Sequence, residues 1–348
     1  MTALRIALVG CGDISAVHLD AIAAHGDAEL VAVCDVERSR LTAASQRWDV
    51  TPYPGFESML EAERPDVVHI CTPHAQHAAM TTAALRRNVN VLVEKPVATS
   101  MADAQEVQRA AEGGSAIVGV CYQNRYNNTS QALRSLIDTG ALGALRGGRA
   151  SVDWFRDNSY YERRPWRGTW AEGGGGVLIN QSIHTLDLLQ WFLGEVVDVR
   201  GQASRLTLDD PVEVEDTASI VLRHRGGAGS IFQATNSYID NAPVMIELLA
   251  DRATVRLEND LTVTYTDGQT LFVAADGIAT GEKAYWGLSH ERLIDDFYRH
   301  VRRRRPFWID PAAAMETLRI VTDVYAQSDL ARRRPGRWPG ASLDRVAR

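Results

Sequence analysis

Five short apolar runs, each cut off by residues that cannot extend it, constrain the first third of this chain more than any other feature. They are Leu4 to Val9, Leu30 to Cys34, Val67 to Cys71, Val89 to Val93 and Ala116 to Val120. Each is too short for a typical helix and rich in valine, isoleucine or leucine, which is how a strand buried on both faces reads. They are followed in turn by Gly10-Cys11-Gly12, Asp35, Thr72-Pro73, Glu94-Lys95-Pro96 and Tyr122-Gln123-Asn124-Arg125. Helical patterns fill the gaps, among them Ala16 to Ala24, Arg38 to Trp48, Phe56 to Glu63, the stretch ending at Arg87, and Met101 to Gly113. Strands alternating with helices imply right-handed crossovers and a parallel sheet. All five polar segments then emerge at the carboxyl edge of that sheet, where open α/β folds bind ligands.

The first unit is a strand, a glycine turn and a helix, the setting that a dinucleotide fingerprint requires. Gly10 permits the tight turn, and Gly12 lets the backbone approach a pyrophosphate held at the helix N-terminus. Asp13 and Ile14 complete the turn and join the candidate cofactor contacts. The third fingerprint position is Ser15, small but neither glycine nor alanine. Asp35 follows the fingerprint by about twenty residues, where an acid accepts hydrogen bonds from the ribose hydroxyls. Its charge would repel a 2′-phosphate, so NAD is expected ahead of NADP. Arg38 and Arg40 are close enough to hold a phosphate and keep NADP in view. The competing reading of Asp35 is a helix N-cap.

Lys95 occupies a distinctive place. Pro96 has no amide hydrogen, so the ladder of the strand Val91-Leu92-Val93 cannot continue through it. Lys95 is thereby delivered to the ligand-binding edge. Thr72, Pro73 and His77 after one strand, Glu94 and Lys95 after the next, and Gln123 and Asn124 after the last complete the expected cofactor contacts.

Beyond Arg125 the pattern changes. A helix from Thr129 to Thr139 and a strand from Arg146 to Phe155 precede a loop, Asp157 to Glu172, loaded with tyrosine, tryptophan and arginine. Gly173-Gly174-Gly175-Gly176 then leads into a helix expected from Val177 to Leu193. Seven further strands follow without intervening helices, with turn signals at Gly226-Gly227 and Asp267-Gly268. The expected architecture is an N-terminal Rossmann domain, residues 1–122, followed by an α+β domain with a large, mainly antiparallel sheet, residues 123–348. Two closing helices are expected at Glu291 to Arg303 and Pro311 to Ala331, the last packing back on the first domain. The sheet's second face needs a cover, and a homodimer or homotetramer formed through it is the expected one.

Composition sets limits on partners. A chain of 348 residues with 45% apolar and 23% charged content is an ordinary globular protein of two-domain size. The net charge of −7 argues against nucleic acid, which calls for a basic surface. The basic runs Arg302 to Arg305 and Arg332 to Arg334 read as solvated helix ends. Met1-Thr2-Ala3-Leu4-Arg5 leads straight into a strand, so no signal peptide is expected, and no apolar run approaches a membrane span. Cys11, Cys34, Cys71 and Cys121 form no CxxC pair. Reduced thiols in a cytoplasmic protein, with no metal site, are the simplest reading.

Asn180 and His184 lie four apart, so one helical face would carry both an amide and an imidazole toward a substrate hydroxyl. Taken with the fingerprint, Thr72-Pro73, Glu94-Lys95-Pro96, Asn124-Arg125 and the segment from Gly173 to His184, the chain resembles the GFO/IDH/MocA oxidoreductases over nearly its whole length. That resemblance implies a nicotinamide cofactor, a sugar, cyclitol or nucleotide-sugar substrate, and Lys95 and His184 as the catalytic pair. Many members of the family carry aspartate where this chain has Asn180, and an asparagine cannot take a proton. Asn180 would still orient a hydroxyl. Arg125, Trp154, Tyr160, Arg163 and Trp166, with Arg156, Tyr161, Arg167 and His290, are the remaining substrate candidates, because aromatic faces stack on sugar rings and arginine forks hold anions. The alternatives are a nucleotide-sugar or uronate oxidase of the same family and a non-catalytic NAD-binding sensor on the same scaffold.

Overall fold

Six parallel strands form the first sheet: β1 (Leu4–Val9), β2 (Ala28–Cys34), β3 (Thr51–Tyr53), β4 (Val67–Ile70), β5 (Asn90–Glu94) and β6 (Val118–Cys121). The computed structural model describes residues 2–276 and 289–330; the basic run at Arg332 to Arg334 lies outside the described residues. The strand order is β3-β2-β1-β4-β5-β6, with every neighbour parallel. Ile6, Leu8, Val68, Ile70 and Leu92 are fully buried, as strands covered on both faces must be. The order reverses between β1 and β4, and a crevice at such a switch point is where a dinucleotide lies. The sequence reading did not anticipate β3. It is three residues long with Pro52 at its centre, and a strand containing proline survives only at a sheet edge, where β3 sits.

The second sheet has eight strands: β7 (Leu145–Asp153), β8 (Val196–Ser204), β9 (Thr217–His224), β10 (Gly229–Thr235), β11 (Met245–Ala250), β12 (Ala253–Glu258), β13 (Asp260–Tyr265) and β14 (Thr270–Val273). Their order is β14-β13-β12-β11-β7-β10-β9-β8, antiparallel except for β7 against β10. Period-two alternation separates its faces. Ile220, Phe232, Ala150, Ile246, Leu257 and Leu261 form one row across the covered face, all buried. The helix Ile183–Leu193 covers it beside β7, burying Leu186, Leu189 and Phe192. The opposite face is open: Val221, Ile231, Leu249 and Phe272 are each more than half exposed there. A shallow concavity of about 630 Å³ on that face is lined by Arg149, Glu247 and Arg256 and holds none of the candidate site residues.

Both closing helices tie the two sheets together. Ser289–Arg303 packs on Ser15–Ala24, and Pro311–Gln327 lies against both β8 and the helix Met101–Glu112. Asp310 caps the latter by accepting from the Ala313 amide at 2.8 Å, with Pro311 at the first position. The Val120 amide donates to the Ile309 carbonyl at 2.9 Å, so the approach to this helix extends the first sheet's hydrogen bonding. Arg302 donates to the carbonyls of Thr2 and Asp27 and is a structural clamp rather than a free basic patch.

Candidate active site

Lys95 follows the last residue of β5 and reaches into the second domain. Its Nζ donates to the main-chain carbonyl of Asn180 at 2.9 Å. Burial pushes the ammonium down to about 8; Glu94 pulls it back up, and Arg167 adds to the lowering. Lys95 is therefore mostly charged at neutral pH.

Asn180 is not on a regular helix. The single helix expected from Val177 to Leu193 is split into a π-helical turn, Val177–Gln181, and an α-helix, Ile183–Leu193. The glycine run explains the distortion. A Cβ on Gly174 would lie 2.6 Å from Thr99, one on Gly175 2.2 Å from the Tyr325 hydroxyl, and one on Gly176 1.9 Å from the Glu215 carbonyl. The close approach that four glycines permit is thus made by the protein's own groups. Glu215 fixes the start of the turn: its carboxylate accepts from the Gly176 amide at 2.7 Å, the Leu178 amide at 3.0 Å and the Tyr325 hydroxyl at 2.7 Å. Burial raises the Glu215 carboxyl to about 7. Ser182 closes the turn, its amide and hydroxyl both donating to the Val177 carbonyl at 2.8 and 2.9 Å. Single π turns of this kind recur at functional sites.

His184 begins the α-helix just beyond. Burial, and after it the Lys95 charge, hold its imidazole well below the usual range, so it is a neutral ring with a lone pair to offer. Gln123 Nε2 lies 3.4 Å from its Nε2, and the Tyr122 ring meets it edge-on at 5.8 Å. His184 Nδ1, Asn180 Nδ2, Gln123 Oε1 and Gln181 Oε1 are all buried without a protein partner. Unpaired buried polar groups are costly, and such atoms are candidates for pairing with a ligand's polar atoms.

The crevice at β1 and β4 fits a dinucleotide. Gly10 has φ +90°, and a Cβ there would sit 2.6 Å from the Cys71 carbonyl. A Cβ on Gly12 would meet nothing within 4 Å, which leaves open space over its backbone. The N-cap role considered for Asp35 belongs to Glu37, which accepts from the Ser39 amide. Asp35 instead accepts from the amides of Cys11 and Glu37, each at 2.7 Å, bracing the glycine turn with lone pairs to spare. Ile14 packs beneath the turn with Leu8 and Leu19. Asp13 pairs with Arg164 at 2.7 Å and Arg167 at 3.3 Å, so the aromatic loop of the second domain closes over the fingerprint. His77 faces the carbonyls of Pro96 at 2.7 Å and Thr72 at 2.8 Å, stitching the Thr72-Pro73 turn to the Lys95 segment. Asn124 is half-buried in the short turn after β6, whereas the Glu94 side chain turns into the core.

The substrate candidates divide. Tyr160, Trp166 and Arg167 gather together: Arg167 lies over the Tyr160 ring at 4.8 Å and the Trp166 ring at 5.5 Å, and Trp166 meets His74 edge-on at 4.8 Å. Gln181 donates to the Tyr160 hydroxyl at 3.3 Å. Arg125 is buried, one edge of its fork bound by Asp187 at 2.7 Å through both Nε and Nη2, with Trp191 and Trp308 against it. Trp154 is buried with its indole donating to the Ala242 carbonyl. Arg163 is exposed on the loop, and Tyr161 is buried against Asn236. Sequence reasoning missed Gln181, His74 and Glu215. Only the neighbours of Asn180 and Thr72-Pro73 could have signalled the first two.

Fold and site together define a two-domain, Rossmann-type oxidoreductase. Residues 4–122 match the oxidoreductase family with NAD-binding Rossmann fold, and residues 130–259 match the GFO/IDH/MocA C-terminal domain. The chain belongs to the GFO/IDH/MocA family, and its cofactor is NAD. It is 28% identical to a D-apiose dehydrogenase of Rhizobium rhizogenes over 84% of this chain and 85% of that one. A myo-inositol 2-dehydrogenase of Thermotoga maritima is 23% identical over 76% of this chain and 79% of its own. The structure of the WlbA dehydrogenase of Bordetella pertussis in complex with NADH and UDP-GlcNAcA superimposes with a TM-score of 0.81 and 30% identity, over 93% of this chain and 96% of that one. No helix among the described residues is long and apolar enough to cross a membrane.

Proposed function

We propose that Lys95 and His184 are the acid/base pair for oxidation of a secondary alcohol, or reduction of the ketone, on a sugar, cyclitol or sugar derivative. The observations that carry this are the Lys95 ammonium held on the Asn180 main chain, its charge reaching His184, and the unpartnered His184 Nδ1 and Asn180 Nδ2. The nicotinamide, when bound, supplies the hydride chemistry. Gly10, Gly12, Asp13, Ile14, Asp35, Thr72, Pro73, Gln123 and Asn124 line or support the crevice that would hold the cofactor. His184, neutral at working pH, takes the hydroxyl proton as general base through Nδ1, with the Gln123 amide turned so that its oxygen accepts the Nε2–H. Lys95 donates a hydrogen bond to the same oxygen and stabilises its developing negative charge. The Asn180 amide orients the hydroxyl. Tyr160 and Trp166, with Arg167 over their rings, are the aromatic candidates beside the sugar.

Lys95→Ala and His184→Ala should each lower turnover on the order of 10²- to 10⁴-fold while leaving NAD affinity nearly intact. Turnover is read from the near-ultraviolet absorbance of the reduced cofactor with a panel of polyols and sugars. Wild-type rates in either variant would discard the assignment, and no turnover on any member of the panel would favour the sensor. A uronate or nucleotide sugar is the second reading. It is favoured by Arg167, whose charge reaches Lys95, and by the likeness to the WlbA enzyme crystallised with UDP-GlcNAcA.

The open face of the second sheet is the proposed contact between copies. Val221, Ile231, Arg149, Glu247, Arg256, Thr262 and Phe272 form one row across it. Its apolar ends would bury on a second copy, and the charges of the central Arg149–Glu247–Arg256 ladder pair within each copy. Ile231→Lys should lower the sedimenting mass. All four cysteines are free thiols, in keeping with a cytoplasmic setting.

A further inference from the structure

Four buried side chains run in single file from the helix Ser289–Arg303 to the residue beside Lys95. Tyr298 Oη lies 2.9 Å from His69 Nε2, His69 Nδ1 lies 2.8 Å from His18 Nδ1, and His18 Nε2 lies 3.0 Å from Glu94 Oε1. None is more than 6% exposed. Burial, the leading influence on each histidine, presses His18 and His69 below the usual imidazole range and so toward neutrality. A neutral imidazole has one N–H and one lone pair, and both nitrogens of each ring are engaged here. The three bonds must therefore all point the same way, and the ends decide which.

The Tyr298 end is decisive. A buried hydroxyl must donate its proton. Donation to His69 Nε2 makes His69 Nδ1–H the donor to His18, and His18 Nε2–H the donor to Glu94. The opposite polarity would place a proton on Glu94 and leave the Tyr298 O–H without an acceptor among the described residues. One more donor reaches the same carboxylate, the Lys95 amide at 3.2 Å, and His290 Nε2 lies 3.4 Å from it. Burial alone would raise the Glu94 carboxyl; the hydrogen bond from His18 and the nearness of His290 outweigh it and hold it well below its usual range.

We propose that Glu94 is a positioning residue, a permanent buried anion polarised by the one-way chain Tyr298–His69–His18, and that its charge keeps Lys95 an ammonium while it works. The reason such an anion is needed lies in the surroundings of Lys95. Burial and Arg167 both favour the neutral amine. His74 and His184 face the same region and are pressed toward neutrality by their burial; at His77 burial lowers the ring while two carbonyls favour its charged form, so it supplies no anion either, and Asn180 carries no charge. The Cys121 thiol also faces Lys95, but burial raises it far above its ordinary range, so it stays protonated. Among the described groups facing Lys95, Glu94 remains as the anion. The inference rests on the reading of Lys95 as hydrogen-bond donor to substrate.

Its test can be separated from that reading. The sequence holds two lysines, Lys95 and Lys283. Isotope-labelled lysine in the full-length protein therefore gives two side-chain NMR signals, assigned with Lys283→Arg, and Lys95 can be titrated without turnover. In Glu94→Gln the Lys95 midpoint should fall by a unit or more, a loss of about tenfold in the ammonium-to-amine ratio at a given pH. Tyr298→Phe, which removes one oxygen atom and keeps the packing, should move it the same way by less, and serves if Glu94→Gln does not fold. The alkaline limb of kcat/KM should move with the midpoint. An unmoved Lys95 midpoint in the folded variants would overturn the proposal. So would a stoichiometric metal ion bound by Glu94, since His18, Glu94 and Cys121 present ligand atoms within 4.8 Å of one another. Full turnover in Lys95→Ala would instead remove the acid/base reading, whatever the titration shows.

Discussion

The Lys95 ammonium is anchored on the main-chain carbonyl of Asn180, 2.9 Å away, and not on the Asn180 side chain. Backbone position and side-chain chemistry at residue 180 are therefore separate. The π turn, fixed by Glu215 and Ser182, aims the carbonyl at Lys95 whatever side chain stands there. The amide is left free, its Nδ2 buried and unpartnered.

That separation predicts opposite results from two substitutions. Asn180→Ala should keep Lys95 in place and lower kcat on the order of 10²-fold through loss of one orienting donor. Asn180→Asp should add a negative charge beside the ammonium and raise its midpoint above the present value of about 8. The alkaline limb of the pH–rate profile would then move upward. A pH profile of kcat/KM for each variant checks both.

Gly10 and Gly12 should respond differently to the same change. Gly10→Ala forces a side chain onto a left-handed backbone and into the Cys71 carbonyl, so it should destabilise the fold by about 2 kcal/mol or more. Gly12→Ala meets open space and should leave the melting temperature nearly unchanged. It should weaken NAD binding at least about tenfold, the effect of roughly 1.4 kcal/mol. Thermal melts and calorimetric titration with NAD separate the two effects.

Glu215 links stability to pH. Its folded midpoint of about 7 lies above its ordinary 4.5, because burial disfavours the charged form. The folded state then binds a proton more tightly than the unfolded one, so stability is full below about pH 4.5 and falls as pH rises toward 7. The expected loss is on the order of 3 kcal/mol between those limits. Glu215→Gln should flatten that part of the melting-temperature curve, although its amide would face an N–H where the carboxylate accepted one. An unchanged slope would refute the burial account.

The buried histidines act on the acid side. His18, His69, His74, His77 and His184 all have folded midpoints below 6.5, chiefly through burial. Their depressed midpoints mean that the stability they contribute is present above about pH 6.5 and is lost as pH falls toward the folded values. His74→Gln should reduce the steepness of the acid limb in melts taken across that range.

Arg125 should prove structural. Its bidentate bond to Asp187, itself held by Thr317 at 2.8 Å, is fully enclosed. Arg125→Ala leaves a buried carboxylate without its cation and should cost about 3–5 kcal/mol of stability. KM for substrate, measured at a temperature where the variant is folded, should change little.

Much of this was legible in the residues themselves. Strand length, valine content and the stops at Gly10, Asp35, Pro73 and Pro96 are local properties, and they set five of six strands and the edge where Lys95 appears. Edge strand β3 escaped because proline argues against a strand except where a tertiary neighbour leaves one side free. The glycine run announced a close approach but not its author. Only packing shows Thr99, Tyr325 and Glu215 pressed against it, and only that packing converts an expected α-helix into a π turn. Arg125 and Trp154 look like sugar contacts in one dimension and are core residues in three.

Local order along the chain thus settled the sheet, the fingerprint and the presence of a lysine at the ligand edge, since turn chemistry and periodicity act between near neighbours. Which distant side chains face one another was settled by the fold alone. Tyr298, His69, His18 and Glu94 are spread over more than half the sequence, and no spacing rule joins them. Their hydrogen bonds exist because the helix near the chain's end returns to the first sheet, and a buried proton must be shared with whatever that return brings within reach.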